Sequence, residues 1–255
     1  MELYLTEWVT FVLVFLRVAS LMVTAPIVGH QAVPVAVKLA VSLFVAYVML
    51  PIVAAQSSGI DTRLAAVVVL ALKEVLVGAI LGFATGLLFS GVQYAGEFMA
   101  YSMGLSMASV FDPESAQNVP IIGELLYLFG LLVFLALNGH HFILESLAVT
   151  FQSVPLGGLT IAGPFTERMV SLTGMVFVVA VKMAAPVIVA TFLTSVGFAI
   201  MARVMPQANI LVISFPVTIG VGLLVTLSSA PLLVFVFKKL LSMFEQNILD
   251  LIRVM

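Results

Sequence analysis

Three groups of residues in this chain carry side chains that could do chemistry. The first is Asn138-Gly139-His140-His141, with Glu145 following. His141 and Glu145, four apart, would share a helix face, a geometry able to hold a metal ion. A zinc hydrolase of the H-E-x-x-H type needs a different arrangement, and His30, the remaining histidine, stands without neighbouring ligands. These residues predict histidines that cap or hydrogen-bond at a helix start, not a metal centre. The second group is charged: Arg17, Lys38, the adjacent Lys73 and Glu74, and Lys182 all sit inside apolar runs. A charge facing lipid costs several kcal/mol, so each must face protein, water or another charge. Lys73 and Glu74 point to different faces of a helix and cannot form the usual i, i+4 pair, which favours structural ion pairs between helices over a proton path. The third group is the polar island Arg203-Val204-Met205-Pro206-Gln207-Ala208-Asn209, followed by Phe215-Pro216. Pro206 pushes Met205 away from helical angles, so the chain must turn there. Arg203, Gln207 and Asn209 are then available to the backbone groups that the break leaves open.

The elements that position these groups are set by composition. With 63% hydrophobic and 9% charged residues, this is no ordinary soluble domain. The apolar runs reach or exceed the roughly 20 residues that cross a bilayer core, and they lack the short alternating segments of a barrel. The fold class is therefore an all-α integral membrane protein. Hydropathy places about six runs, at 8–28, 33–55, 64–95, 119–137, 168–201 and 210–237. The 64–95 and 168–201 runs exceed even a tilted span, so breaks or projecting segments are expected. Phe142 to Leu156 is short enough to be re-entrant or packed on protein. The domain organisation reads as one polytopic unit over 1–237, with an amphipathic helix at 238–255. With a cytoplasmic N-terminus and simple spans, Arg63, Arg168, Lys238, Lys239 and Arg253 fall inside and Arg203 outside, which predicts both ends cytoplasmic. Glu2 and Glu7 take the place of a basic signal region, so the first run is expected to be retained. The absence of cysteine excludes disulfides and thiolate chemistry, and a net charge of −2 without a basic cluster gives no sign of nucleic acid. No phosphate-binding glycine loop, nucleophile elbow or nucleotide motif is present.

Smaller patterns refine this picture. Gly78, Gly82 and Gly86 make a small-residue ridge along one helix face, where another backbone can come close. The 96–118 segment begins Gly96-Glu97 and carries Met99, Met103 and Met107 at four-residue spacing. Flexible thioethers in that pattern either fill core space or adapt to changing partners. Asp112-Pro113 is a turn signal that sets Val110 and Phe111 at the end of this helix. In the tail, Leu241, Phe244, Ile248, Leu251, Ile252 and Met255 share one face, which could lie on the membrane or dock on a partner; a partner is the preferred reading.

Taken in order, several motifs resemble the FliR family, the flagellar member of the type III secretion export apparatus. They are Arg17 and Pro26, Lys73-Glu74 before the glycine ridge, G-E-F-M-A-Y-S-M-G-L-S-M-A-S-V-F-D-P at 96–113, N-G-H-H at 138–141, and R-V-M-P-Q-A-N-I at 203–210 with its F-P and G-V-G-L-L. The resemblance covers essentially the whole chain. It implies a non-enzymatic core subunit of the flagellar export gate, without a cofactor, assembled with FliP and FliQ homologues in a helical ring and joined by FlhB-like and FlhA-like components. Through the lumen pass unfolded rod, hook and filament proteins, across the bacterial inner membrane. It further implies that much of the chain is raised toward the periplasm, which would explain the overlong runs and undercut the orientation argument above. In the family a plug closes the pore after the G-E-F-M helix, so Met103, Met107, Val110, Phe111, Asp112 and Pro113 become plug or gate positions. An apolar constriction of this kind closes by dewetting. Arg17, Lys73, Glu74, Gly78, Gly82, Gly86, Glu97, Asn138, His140, His141, Arg203, Pro206, Gln207, Asn209 and Pro216 become structural or assembly positions. Two alternatives stand beside this: a virulence-secretion homologue of the same gate, and a stand-alone secondary transporter using Glu74, Lys182 and helices broken near Pro186 and Pro216.

Overall fold

Long apolar runs rich in Leu, Val, Ala and Met, with turn residues gathered between them, fold as helices because a helix satisfies every backbone group internally. In a computed structural model, residues 2–26, 29–30, 33–54, 63–105, 121–160, 163–207 and 209–255 are described. They form α1 (Glu2–Thr24), α2 (Val35–Ala54), α3 (Leu64–Met103), α4 (Ile121–Ala136), α5 (Gly139–Ser153), α6 (Gly163–Val204), α7 (Ile210–Ser228) and α8 (Ala230–Arg253). Among the described residues there is no strand. Four helices, α1, α2, α3 and α6, are long and apolar enough to cross a membrane, and the count rises to six if α4 with α5 and α7 with α8 each make one bent span. The protein is thus an all-α integral membrane protein, with bends between α4 and α5 and between α7 and α8.

The two overlong runs are not broken. α3 is a continuous helix of 40 residues and α6 one of 42. Each is roughly 60 Å long, about twice the hydrocarbon thickness, so part of each must extend beyond a flat bilayer core. Pro186 lies inside α6 and Pro216 inside α7. The breaks that a transporter site would need near these prolines are therefore absent. Where helices do end, the chemistry is local. Gly104, at φ 84°, follows the last residue of α3 and adopts the left-handed conformation that closes a helix at little steric cost. Asn138, at φ 58°, makes the corresponding turn between α4 and α5. α7 and α8 meet at Ser229 with a bend of 61°.

Packing gathers the chain into two units. One comprises Met1–Leu87, Asn138–Thr173 and Met243–Met255, the other Leu88–Leu137 and Gly174–Ser242. The core of the first is built from Leu13, Val14 and Val18 on α1, Val77 and Leu81 on α3, Leu147 and Phe151 on α5, and the end of α8. The core of the second holds Phe89, Val92, Met99 and Met103 on α3, Leu126 and Phe134 on α4, Met183 and Val187 on α6, and Phe237 on α8. Phe89 there makes edge contacts with Tyr127 and Phe134, at 5.8 and 5.2 Å between ring centres. In α5, Ile143, Leu147, Thr150 and Phe151 are buried, so this short element packs on protein.

The tail differs from its expected role. Leu241, Phe244, Ile248, Leu251, Ile252 and Met255 do share one face, but every one is buried within the chain itself. The last carbonyl is also held, since the Met255 oxygen accepts hydrogen bonds from the Thr160 backbone N–H and hydroxyl, both at 2.9 Å. These apolar side chains, already covered by the chain itself, are not free to meet membrane or partner.

Candidate functional site

The most organised polar cluster lies in the first unit, where α1, α3 and the turn after α5 converge. Residue numbers on α1 and α3 rise together across their contact, so the two helices run parallel. A Cβ on Gly78 would collide with the Arg17 carbonyl and the Ser20 hydroxyl, and one on Gly82 with Thr24. Small residues at two turns of α3 thus let the backbones approach closely. Gly86 meets nothing within 4 Å, so only two of the three ridge glycines serve this contact.

One turn before Gly78, that close approach brings Glu74 against Arg17. Arg17 Nε donates to Glu74 Oε2 at 2.5 Å, and both side chains are fully buried. Nη1 and Nη2 of Arg17 each donate to the Val154 carbonyl at 3.1 Å, and the guanidinium carbon lies 4.3 Å from the centre of the Phe151 ring. Glu74 Oε1 accepts the Gly157 N–H at 2.8 Å, while Lys73 Nζ donates to the Gly157 carbonyl at 2.9 Å. Lys73 and Glu74, pointing to different faces as adjacent residues must, still reach one turn between them. A buried charge pair is tolerable only when its polar atoms find partners, and here each Arg17 nitrogen and each Glu74 oxygen has one.

The turn is shaped to receive them. Gly158 N–H closes it on the Pro155 carbonyl at 2.8 Å. Gly157 has φ 74°, and a Cβ there would run into Leu70. Both backbone strain and lack of space demand glycine at this position. Val154, Phe151 and Gly157 were not singled out by the sequence. The available signal was turn chemistry, Pro155 followed by Gly157-Gly158 between two apolar stretches.

The other expected positions are distributed differently. Lys38 Nζ donates to the Gly29 carbonyl at 2.8 Å. Lys182 is exposed on α6 and has no ion-pair partner among the described residues. Glu97 is half-buried on α3. Met103 is fully buried, and a Cβ on Gly222 of α7 would collide with it. With Met99 it fills core space, the plainer of the two readings of the methionine stripe. Met107, Val110, Phe111, Asp112 and Pro113 lie outside the described residues.

At the polar island, α6 ends at Val204 and α7 begins at Ile210, as Pro206 requires. Arg203, Pro206, Gln207 and Asn209 are all exposed. Among the described residues the side chains of Arg203 and Gln207 do not bond the open backbone groups, and Asn209 does not cap α7 with its side chain. The backbone closes the break instead: Met205 N–H donates to Met201 at 2.8 Å and Val212 N–H to Asn209 at 3.1 Å. These bonds do not involve the three polar side chains, which stay exposed.

At the start of α5 the His140 and His141 rings lie 4.3 Å apart, tilted by 42° to each other. His141 is bonded through its backbone N–H to the Asn138 carbonyl at 2.9 Å, whereas His140 Nδ1 is buried without a partner among the described residues. No group of three or more His, Asp or Glu side chains among the described residues gathers closely enough to hold a metal.

The fold and this junction define an all-α membrane protein whose buried charges fasten helices to one another. Residues 8–244 match the model of the family described as Bacterial export proteins, family 1. The chain is 30% identical over 249 residues to the flagellar biosynthetic protein FliR of Bacillus subtilis (strain 168), covering 95% of this chain and 94% of that protein. It is 31% identical over 218 residues to FliR of Escherichia coli (strain K12), covering 86% and 83%. With FliR of Aquifex aeolicus (strain VF5) it shares 28% identity over 225 residues, 88% and 86% of the two chains. The chain belongs to the FliR family of bacterial export proteins. It is a membrane subunit of a flagellar export apparatus, which is a multi-subunit complex.

Proposed function

We propose that this chain is a core, non-enzymatic subunit of the flagellar export gate and forms part of the pore through which unfolded rod, hook and filament proteins cross the inner membrane. Its partners in this reading are FliP and FliQ homologues, with FlhB-like and FlhA-like components alongside, and part of the chain is raised toward the periplasm. The family match across residues 8–244 carries the proposal. Lys182 supports it: an exposed charge near the middle of a long apolar helix is costly against lipid and acceptable against a partner or water. So does the Arg17–Glu74 junction, because a carboxylate with both oxygens engaged by donors inside the chain fastens helices and is poorly placed to carry protons or bind a substrate. In this reading the 96–118 segment is the plug region, with Met103, itself buried, and Met107, Val110, Phe111, Asp112 and Pro113 as its plug or gate positions. The exposed Arg203, Gln207 and Asn209 serve assembly.

Co-purification in mild detergent with the neighbouring gene products, followed by native mass spectrometry, tests the reading. A hetero-oligomer holding one copy of this chain with several copies of other small membrane proteins is the expected result. A monomer or homodimer that moves a solute across liposomes would return the transporter to favour.

A further inference from the structure

The junction and the polar island leave unused a cleft of about 620 Å³ between the start of α1 and the end of α2. Glu7 and Thr10 line it from α1, and Tyr47, Val48, Leu50 and Pro51 from α2. The two helices are apolar enough to span, over Thr6–Thr24 and Val35–Val53, so the cleft sits where both spans end. Where both helices cross a bilayer, such ends lie at the depth of lipid head groups, and exposed aromatics with polar edges suit that depth: Trp8 is 68% exposed and Tyr47 70%. Glu7 is exposed, and among the described residues it has no cationic partner and no basic side chain lines the cleft. Deeper along α2, Leu43 and Phe44 also face outwards.

We propose that this cleft binds a zwitterionic phospholipid whose head group carries a primary ammonium, that is, a phosphatidylethanolamine. The ammonium pairs with the Glu7 carboxylate through a charge-assisted hydrogen bond. The Tyr47 hydroxyl donates to the phosphodiester, and the acyl chains follow Val48, Leu50 and Pro51 and then the outward face of α2. Charge decides among lipids. An anionic head group would meet the Glu7 carboxylate with no cation to offset it, whereas a choline head group has charge but no N–H to donate.

Trp8 neighbours Glu7 and is the single tryptophan of the chain, so its fluorescence reports on this cleft. The full chain is reconstituted in brominated phosphatidylcholine, which quenches nearby indoles, and unbrominated lipids are added. Phosphatidylethanolamine is expected to relieve quenching about fivefold more effectively per mole than phosphatidylcholine, the size of one modest net hydrogen bond. Glu7→Gln should remove most of that preference and Tyr47→Phe part of it. Equal relief by the two lipids, a preference unchanged in Glu7→Gln, or stronger relief by phosphatidylglycerol would overturn the proposal. Trp8 shielded from every lipid once partner subunits are present would also overturn it, making the cleft a protein interface. If Glu7→Gln fails to insert, Tyr47→Phe and the lipid series on the unaltered chain decide.

Discussion

Arg17 and Glu74 are each other's answer to burial. Neither could remain charged in an apolar interior alone, and each is further tied to the turn after α5. Replacing Glu74 by alanine leaves the guanidinium buried without its counter-ion and the Gly157 N–H without its acceptor. A loss of about 3–5 kcal/mol is expected, read as a lowered unfolding midpoint of the detergent-solubilised chain. The double substitution Arg17→Met with Glu74→Leu should regain most of that loss, since an apolar pair removes the orphaned charge. A proton carrier would behave otherwise: Glu74→Gln would then fold normally and abolish export, whereas the junction predicts that folding and export fall together.

At the scale of the element, spacing along a helix decided less than expected. Gly78, Gly82 and Gly86 are equivalent in sequence, yet only the first two face α1. Gly78→Ala should push α1 from α3 and cost about 1–3 kcal/mol, as overpacking does. Gly86→Ala should be neutral or stabilising by up to about 1 kcal/mol, because the added Cβ has open space around it and helix propensity improves. Thermal unfolding of the two variants side by side checks this, and equal effects would show the ridge to act as one surface. The proposed plug belongs to this scale as well. Replacing Val110 and Phe111 together by glycine should raise ion leakage through the assembled complex, and conductance unchanged from the parent would count against a sealing role.

For the whole molecule, the contrast between the covered tail and the exposed island bears on the proposed assembly surface. The apolar face at the end of α8 is buried within the chain, while Arg203, Gln207 and Asn209 stand exposed beside a break whose flanking residues bond backbone to backbone. Polar side chains not needed for the local fold remain available to partners. Arg203→Ala or Gln207→Ala should therefore lower the yield of the purified complex and leave the chain's own unfolding midpoint nearly unchanged. Normal yield with lost export would instead give the island a part in gating.

The sequence alone determined the membrane class, the helical runs, the turn at Pro206 and the order of motifs that the family match bears out, because hydropathy, helix periodicity and proline stereochemistry are properties of neighbours along the chain. It also required partners for the buried charges without naming them. Only the tertiary structure decided that Arg17 meets Glu74 at a separation of 57 residues, that Gly157 lies between Glu74 and Lys73, and that Met99 and Met103 are core. It alone decided that the amphipathic tail is covered by its own chain. Local pattern fixes which side chains share a face, but which face meets which is set by packing among elements far apart in sequence.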